Sequence, residues 1–282
     1  MLRLGRTISR AINRGLGNAD SVDVSEVDGV RSLYLGSETV QSSMRIKAPY
    51  DLELTYSRAM MLFLLFLNKS AAKAPFENKS VAKVPVEVLM IGLGGGSVAK
   101  YVHHYLPQIK TRVVEINEQI IRIARSHFYL PEDDERLQVI VGDGVAYLEE
   151  HVQTADVLLL DVFDSKGVPT DMYNQAFFDS CAESLKLDGM MAVNLWGSDR
   201  NFDIYLQRIE QSFNQRVLVL RTGKPGNIVV FGFKRAPADL RWASLRQRAK
   251  ELETQHEIEF LEFVEKLREH NPNTSNRLLL GE

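Results

Sequence analysis

The chain has 282 residues, of which 45 % are hydrophobic and 25 % charged, an ordinary balance for a soluble globular protein. Its formal net charge of −3 argues against a general nucleic-acid binder, because such proteins usually carry a strong basic excess. Cys181 is the single cysteine, which excludes an intramolecular disulfide and a cysteine-based zinc site and predicts a reducing, cytoplasmic location. This length accommodates one large α/β domain and a smaller appendage.

Residues 1–50 are predicted to form an N-terminal arm and a small antiparallel β region. Arginines are spaced among apolar residues along this arm, a pattern that is typical of a surface amphipathic helix. The alternative is a frayed segment or one that contacts another subunit. The arm lacks the continuous apolar stretch of a secretory signal. Three short alternating runs then occupy 22–47, and Asp28-Gly29 between the first two is a hairpin signal.

Residues 51–235 are predicted to be the main domain, which begins with a helical pattern over 53–67. The eight apolar residues of 60–67 are too few to span a bilayer, so we predict a buried helix there and no membrane span. The sequence NKSAAKAPFE is followed directly by NKSVAKVPVE, and this tandem duplication predicts a surface loop over 68–85.

Strand and helix patterns alternate through the rest of the main domain. Predicted strands cover 86–91, 111–115, 137–141, 156–161 and 189–194, and predicted helices cover 97–106, 117–128, 144–151, 173–186 and 201–213. This alternation predicts an α/β fold with a doubly wound, mostly parallel, Rossmann-like sheet. Strand patterns at 216–220 and 227–233 flank a short turn and close the sheet as an antiparallel hairpin, and 236–282 are predicted to form a C-terminal helical extension.

A glycine-rich turn follows the first strand of the main domain. The apolar run VEVLMI leads directly into Gly92, Gly94, Gly95 and Gly96, and a helical pattern opens at Ser97. Glycines allow a ligand to approach the backbone closely, where a helix N-terminus offers free N–H groups. The turn therefore predicts a nucleotide or nucleoside site.

Acidic residues end the next three strands. They are Glu115, Asp143 in the sequence Gly142-Asp143-Gly144, and the pair Asp161 and Asp164. Ligands of doubly wound sheets lie across these strand ends, and an acidic residue about twenty positions beyond the glycines is placed to hold ribose hydroxyls. A dinucleotide is disfavoured because Ser97 stands where a third glycine is expected, and a P-loop is excluded because no Gly-Lys-Ser/Thr follows. The pattern favours a nucleoside sulfonium.

The stretch from Tyr50 to Trp196 resembles the polyamine aminopropyltransferases, the spermidine synthase family, whose fold is like that of class I S-adenosylmethionine-dependent methyltransferases. The resemblance implies a nucleoside site that includes Gln41, a ribose ligand at Glu115 and an adenine ligand at Asp143. It further implies that Tyr56 lines the amine channel. The family's Asp-x-x-Asp pair corresponds to Asp161 and Asp164.

The implied reaction needs a base, because a protonated amine must lose a proton before it attacks the carbon next to a sulfonium. A positioned carboxylate can act as this base. Asp161 is therefore the candidate base and amine anchor, and Asp164 is the candidate residue that binds the positive charge of the substrate. The co-substrate is expected to be decarboxylated S-adenosylmethionine or S-adenosylmethionine itself, with no metal. The expected acceptor is a small polyamine or another small molecule.

Three places depart from the family pattern, and one of them is Asn194-Leu195-Trp196, which stands where the family often has a glutamine-rich segment. Gly95 stands where the family carries an aspartate that holds the amino group of the donor, and Arg58 replaces an acidic residue and is expected to lie beside the site and repel a diamine. Three functions follow, in this order: an aminopropyltransferase, an S-adenosylmethionine-dependent methyltransferase, or a non-catalytic nucleoside-binding member of the family. A homodimer or larger homo-oligomer is expected.

Overall fold

A four-stranded antiparallel sheet precedes the main sheet. The computed structural model describes residues 10–13, 22–36, 38–67, 85–162, 172–223 and 226–281. The strands of the first sheet pair in chain order and are β1 (Arg10–Asn13), β2 (Val22–Val27), β3 (Val30–Leu35) and β4 (Val40–Arg45). Asp28 and Gly29 join β2 to β3 with φ angles of 51° and 77°, which confirms the predicted hairpin.

Part of the predicted N-terminal arm belongs to this sheet. The segment Arg10–Asn13 pairs antiparallel with β2, so neither a helix nor a frayed arm describes these four residues. Backbone pairing with an available sheet edge satisfies the N–H and C=O groups that face β2. The rest of the arm lies outside the described residues, as do 68–84 of the predicted surface loop.

The main sheet has seven strands in the order β10-β11-β9-β8-β5-β6-β7. Their bounds are β5 (Val86–Ile91), β6 (Ile109–Glu115), β7 (Leu137–Val141), β8 (Ala155–Leu160), β9 (Leu185–Trp196), β10 (Val217–Arg221) and β11 (Asn227–Phe233). Strands β5 to β9 are parallel, and β11 and β10 close the sheet as an antiparallel hairpin. The predicted fold class is confirmed. The strand order reverses between β5 and β8, where ligands of such sheets bind.

Nine helices are found within the residues that the structure describes. They are α1 (Thr55–Met60), α2 (Phe63–Phe66), α3 (Ser97–Tyr105), α4 (Glu118–Phe128), α5 (Gly144–Glu150), α6 (Gln175–Ser184), α7 (Phe202–Ser212), α8 (Trp242–His256) and α9 (Phe260–His270). The helical pattern over 53–67 is thus two short helices. Met61 and Leu62 bond to carbonyls three residues back, which tightens the chain between them. No helix in the described ranges is long and apolar enough to cross a membrane.

The small sheet docks onto the glycine-rich turn and the helix that follows it. The Gly95 N–H donates to Ser42 Oγ at 2.9 Å, and the buried Lys100 ammonium donates to the carbonyl of Phe128 at 2.6 Å and contacts Met44 Sδ at 3.2 Å. Burial lowers the pKa of Lys100 to about 8. One hydrophobic core runs from the small sheet to the C-terminal helices. The position of β4 against the turn is therefore fixed by buried contacts.

Candidate active site

The register of the parallel strands brings three chain segments together at the carboxyl edge of the sheet. Ile91 lies beside Leu160, and Leu160 lies beside Val193. The next residues along these strands are Gly92, Asp161 and Asn194, so they form a row across the strand-order reversal.

A cavity of about 130 Å³ opens above this row. It gathers seven residues that the sequence assigned to the site: Gln41, Gly92, Gly94, Glu115, Asp143, Gly144 and Asp161. A second cavity of about 10 Å³ adjoins it and is lined by Tyr56 and three serines. Asp161 lines both cavities. Asp164 lies outside the described residues.

The glycines of the turn are required by close packing. Gly92 has φ +89°, and a Cβ there would lie 2.4 Å from the backbone oxygen of Asp161. A Cβ at Gly95 would lie 2.9 Å from Ser42 Cβ and 3.0 Å from the Phe128 ring. Ser42 and Phe128 therefore occupy the space that a side chain at Gly95 would need. Gly96 ends the turn in a left-handed conformation immediately before α3.

Glu115 is held at the end of β6 by the backbone. Its Oε2 accepts from the Leu93 N–H and its Oε1 from the Asn117 N–H, both at 2.9 Å. Burial raises the pKa of Glu115, and these backbone hydrogen bonds oppose that shift. The carboxylate thus ties the glycine-rich turn to β6 while it lines the larger cavity, where its remaining lone pairs can accept hydroxyl protons.

Asp143 both lines the cavity and caps a helix. It is the N-cap of α5, and its Oδ1 accepts from the Val145 N–H at 2.8 Å. Its position is therefore set by local structure.

Asp161 accepts one hydrogen bond on each carboxylate oxygen. Asn194 Nδ2 donates to Oδ1 at 2.9 Å. The Tyr56 hydroxyl lies 3.2 Å from Oδ2 and 3.1 Å from the Gln41 carbonyl, so its one proton is shared between these two acceptors. Burial raises the pKa of Asp161, and these two donors oppose the shift. Burial and the neighbouring Asp161 raise the pKa of Tyr56 well above its usual range, so its hydroxyl stays neutral. Asp161 and Tyr56 thus present a buried carboxylate whose raised pKa makes it a stronger proton acceptor than an ordinary aspartate.

Asn194 and Ser42 are polar residues that hydrogen-bond to assigned site residues and were not themselves assigned from the sequence. Asn194 is a buried polar residue near the end of the apolar strand β9, a pattern that marks a candidate at the carboxyl edge. Ser42 accepts from the Gly95 N–H, yet it lies 53 residues away in the chain. No local pattern points to that contact.

The expectation for Arg58 is wrong. Both Glu259 carboxylate oxygens lie 2.9 Å from its Nε, and its Nη1 donates to the carbonyls of Leu52 and Glu53. Helix α1 turns this side chain toward the C-terminal helices, where Glu259 neutralises its charge. Among the described residues, Arg58 lines neither cavity.

The polar groups of the larger cavity suit a nucleoside, with acceptors for ribose hydroxyls and an adenine amino group. Among the residues that the structure describes, no group of three or more His, Cys, Asp or Glu side chains is arranged to hold a metal ion.

Comparisons with known proteins agree with the resemblance seen in the sequence. The family model "Spermine/spermidine synthase domain" matches residues 72–217. A polyamine aminopropyltransferase of Chromobacterium violaceum is 37 % identical over 259 residues, which cover 92 % of this chain and 94 % of that protein.

Solved structures show the same fold. A spermidine synthase in complex with the transition-state analogue AdoDATO has a TM-score of 0.66 at 21 % identity, covering 92 % of this chain and 88 % of that one. Human methyltransferase-like protein 13 in complex with SAH has a TM-score of 0.60 at 23 % identity, covering 79 % and 96 %. The family model and the sequence identity to the Chromobacterium violaceum protein show more than a shared fold. The chain belongs to the spermine/spermidine synthase family.

Proposed function

We propose that this chain transfers the aminopropyl group of decarboxylated S-adenosylmethionine to a polyamine and releases methylthioadenosine. The observation that carries the proposal is the position of Asp161, where the larger cavity meets the smaller one. The name of the Chromobacterium violaceum relative, a polyamine aminopropyltransferase, supports it.

The donor's nucleoside would occupy the larger cavity. Glu115 would accept from the ribose hydroxyls, Asp143 would accept from the adenine amino group, and Gln41 would cover the nucleoside from β4. The glycine-rich turn would lie against the sugar, because its missing side chains let a ligand reach the backbone. Ile116, which is 71 % exposed beside Glu115, would pack against the base.

The chemistry is a displacement at carbon. The acceptor's neutral nitrogen forms a bond to the aminopropyl carbon as the carbon–sulfur bond breaks, and the electron pair of that bond goes to sulfur. The proton that the attacking amine must lose passes to Asp161, whose raised pKa matches that task. Tyr56, held neutral, would orient the carboxylate through its hydroxyl. Asp164 would bind a second charge of the polyamine, as its place in the family motif implies.

The smaller cavity favours a decarboxylated donor. Its volume of about 10 Å³ matches one water molecule, which is the size of an ammonium group. Ser42, Ser57 and Ser97 line it together with Asp161. Oxygen acceptors and a carboxylate attract an ammonium, whereas a donor carboxylate there would be repelled by Asp161 and would exceed the space.

The test is turnover with defined donors. Methylthioadenosine release is measured with decarboxylated S-adenosylmethionine and a series of diamines and triamines, and calorimetry compares the decarboxylated and intact donors. Release with at least one amine and tighter binding of the decarboxylated donor are expected. Binding without turnover of either donor would make the chain a nucleoside-binding protein. Methyl transfer has only the fold likeness in its favour.

Replacing Glu115 with Gln is expected to weaken binding of methylthioadenosine about ten- to a hundredfold, because hydrogen bonds to a charged group contribute about 1.5–3 kcal/mol. Calorimetry measures the dissociation constant. In the unmodified protein the affinity should fall as the pH drops through the raised pKa of Glu115, and this dependence should disappear in the variant. Glu118→Gln is the control, since Glu118 is exposed on α4. Equal affinities of the two variants would refute the assignment of Glu115 to the ribose.

Replacing Arg58 with Met is expected to lower the free energy of unfolding by about 2 kcal/mol, because it leaves Glu259 and two carbonyls without their partner. The KM for the amine should stay within about twofold, since the cation faces away from the cavities. Arg45→Met removes an exposed pair with Glu53 and should cost about 0–1 kcal/mol. A lower KM in Arg58→Met would show that Arg58 does repel the acceptor.

A cytoplasmic location, a homodimer or larger homo-oligomer and the absence of a nucleic-acid partner stay predictions from the sequence. Light scattering on the purified chain measures the assembly state.

A further inference from the structure

A row of buried side-chain amides connects Asp161 to the closing hairpin. Asn227 Nδ2 donates to Asn194 Oδ1 at 3.0 Å, and Asn194 Nδ2 donates to Asp161 Oδ1 at 2.9 Å. Asn194 and Asn227 are 0 % and 6 % exposed. Both amides are thus shielded from the water that would otherwise satisfy them.

Strand register places the two amides on one face. Asn194 pairs with Val229 across β9 and β11, and Asn227 is two residues from that pair, so the two asparagines are diagonal neighbours. The Thr222 N–H and hydroxyl donate to the backbone oxygen of Asn227 at 3.1 and 2.8 Å, which anchors Asn227 at the base of the hairpin.

A carboxamide presents a donor on one side and an acceptor on the other. Asn194 supports an ionised Asp161 only when its NH₂ group faces the carboxylate, because the reversed amide would place oxygen against oxygen. The Asn227 NH₂ group faces the Asn194 oxygen, and this contact favours the orientation in which the Asn194 NH₂ group faces Asp161.

We infer that Asn227 is a positioning residue: through Asn194 it holds the Asp161 carboxylate in its ionised, proton-accepting form. The assignment of catalysis to Asp161 rests on the proposed function, whereas the effect on its ionisation does not. Among the described residues, the titratable side chains that interact with Asp161 are Tyr56 on α1 and Tyr173 before α6. Burial raises the pKa of both, so neither changes charge in the range where a carboxyl titrates.

The experiment measures the pKa of Asp161 itself. Carbon-13 NMR of aspartate-labelled protein, without substrate, follows the Asp161 carboxyl in the unmodified chain and in Asn227→Ala, with Asp161→Asn to assign the signal. The pKa of the Asp161 carboxyl is expected to be about one unit higher in Asn227→Ala than in the unmodified chain, which corresponds to weakening one hydrogen bond to a charged group. The acid limb of kcat/KM for aminopropyl transfer should move upward by the same amount.

Asn227→Asp gives a sharper outcome. A carboxylate at this position would accept from the Asn194 NH₂ group and turn the Asn194 oxygen toward Asp161, so the upward shift should exceed that of Asn227→Ala. Thr222→Val is the matched control, because it removes a contact to the Asn227 backbone and leaves the amide row intact. The pKa of the Asp161 carboxyl should not change in Thr222→Val.

An unchanged Asp161 pKa in Asn227→Ala overturns the inference, even if the variant is less stable or less active. Equal shifts in Asn227→Ala and Thr222→Val would likewise reduce Asn227 to a structural role. If Asn227→Ala does not fold, Asn227→Ser, whose hydroxyl is too short to replace the amide, is measured with the same expected shift. Absence of aminopropyl transfer in the unmodified protein would refute the proposed function while the NMR titration still decides this inference.

Discussion

Asp161→Asn is expected to reduce methylthioadenosine release about 10²- to 10⁴-fold, the usual contribution of a positioned acid or base. The amide that replaces the carboxylate cannot accept the proton of the attacking amine. The substitution also removes a negative charge from the junction of the two cavities. Binding of methylthioadenosine should change little, because this product lacks the aminopropyl ammonium and the attacking amine that Asp161 is proposed to contact. Initial rates and calorimetry on the same preparation measure the two effects.

The matched control for this change is Asp188→Asn. Asp188 carries an exposed carboxylate paired with Arg235 at the surface, so its removal should leave the rate and the nucleoside affinity unchanged. Turnover by Asp161→Asn within about tenfold of the unmodified enzyme would remove Asp161 from the role of base. A comparable loss of methylthioadenosine binding would place Asp161 in the nucleoside subsite instead.

Gly92→Ala is expected to impair both stability and catalysis. The residue has φ +89°, which is costly for alanine, and the added Cβ would meet the Asp161 backbone oxygen at 2.4 Å. Left-handed backbone strain costs about 1–3 kcal/mol, and the contact must in addition push Asp161 away from its position. A displacement of about 1 Å at a reacting group lowers the rate about a hundredfold. Thermal unfolding and initial rates measure the two consequences.

Gly29→Ala is the control that measures the cost of a positive φ angle without a steric contact. Gly29 has φ +77° in the hairpin between β2 and β3, and a Cβ there meets no atom within 4 Å. It should cost about 1–2 kcal/mol for the backbone alone and leave the rate unchanged. The excess loss in Gly92→Ala then reports the collision with the Asp161 backbone. If both variants keep full activity, the close packing of Gly92 against Asp161 has no part in catalysis.

The sequence alone determined the architecture and the polar lining of the larger cavity. Alternating strand and helix periods predicted the parallel sheet, because each element must bury one apolar face. Topology then brought the strand ends together at one edge. Glu115 ends β6, Asp143 lies two residues after β7 and Asp161 follows β8 directly. Their places therefore depend on local structure that the sequence encodes within a few residues. The family resemblance rested on these same positions.

The tertiary structure alone decided three features that change how the site is understood. Arg58 pairs with Glu259, 201 residues away, which removes the expected repulsion of the amine. Ser42 fills the space beside Gly95, and Asn227 reaches Asp161 through Asn194. Each depends on the direction of a side chain and on a partner from a distant element. Spacing along the chain shows which residues reach the carboxyl edge, but packing decides what each one touches there.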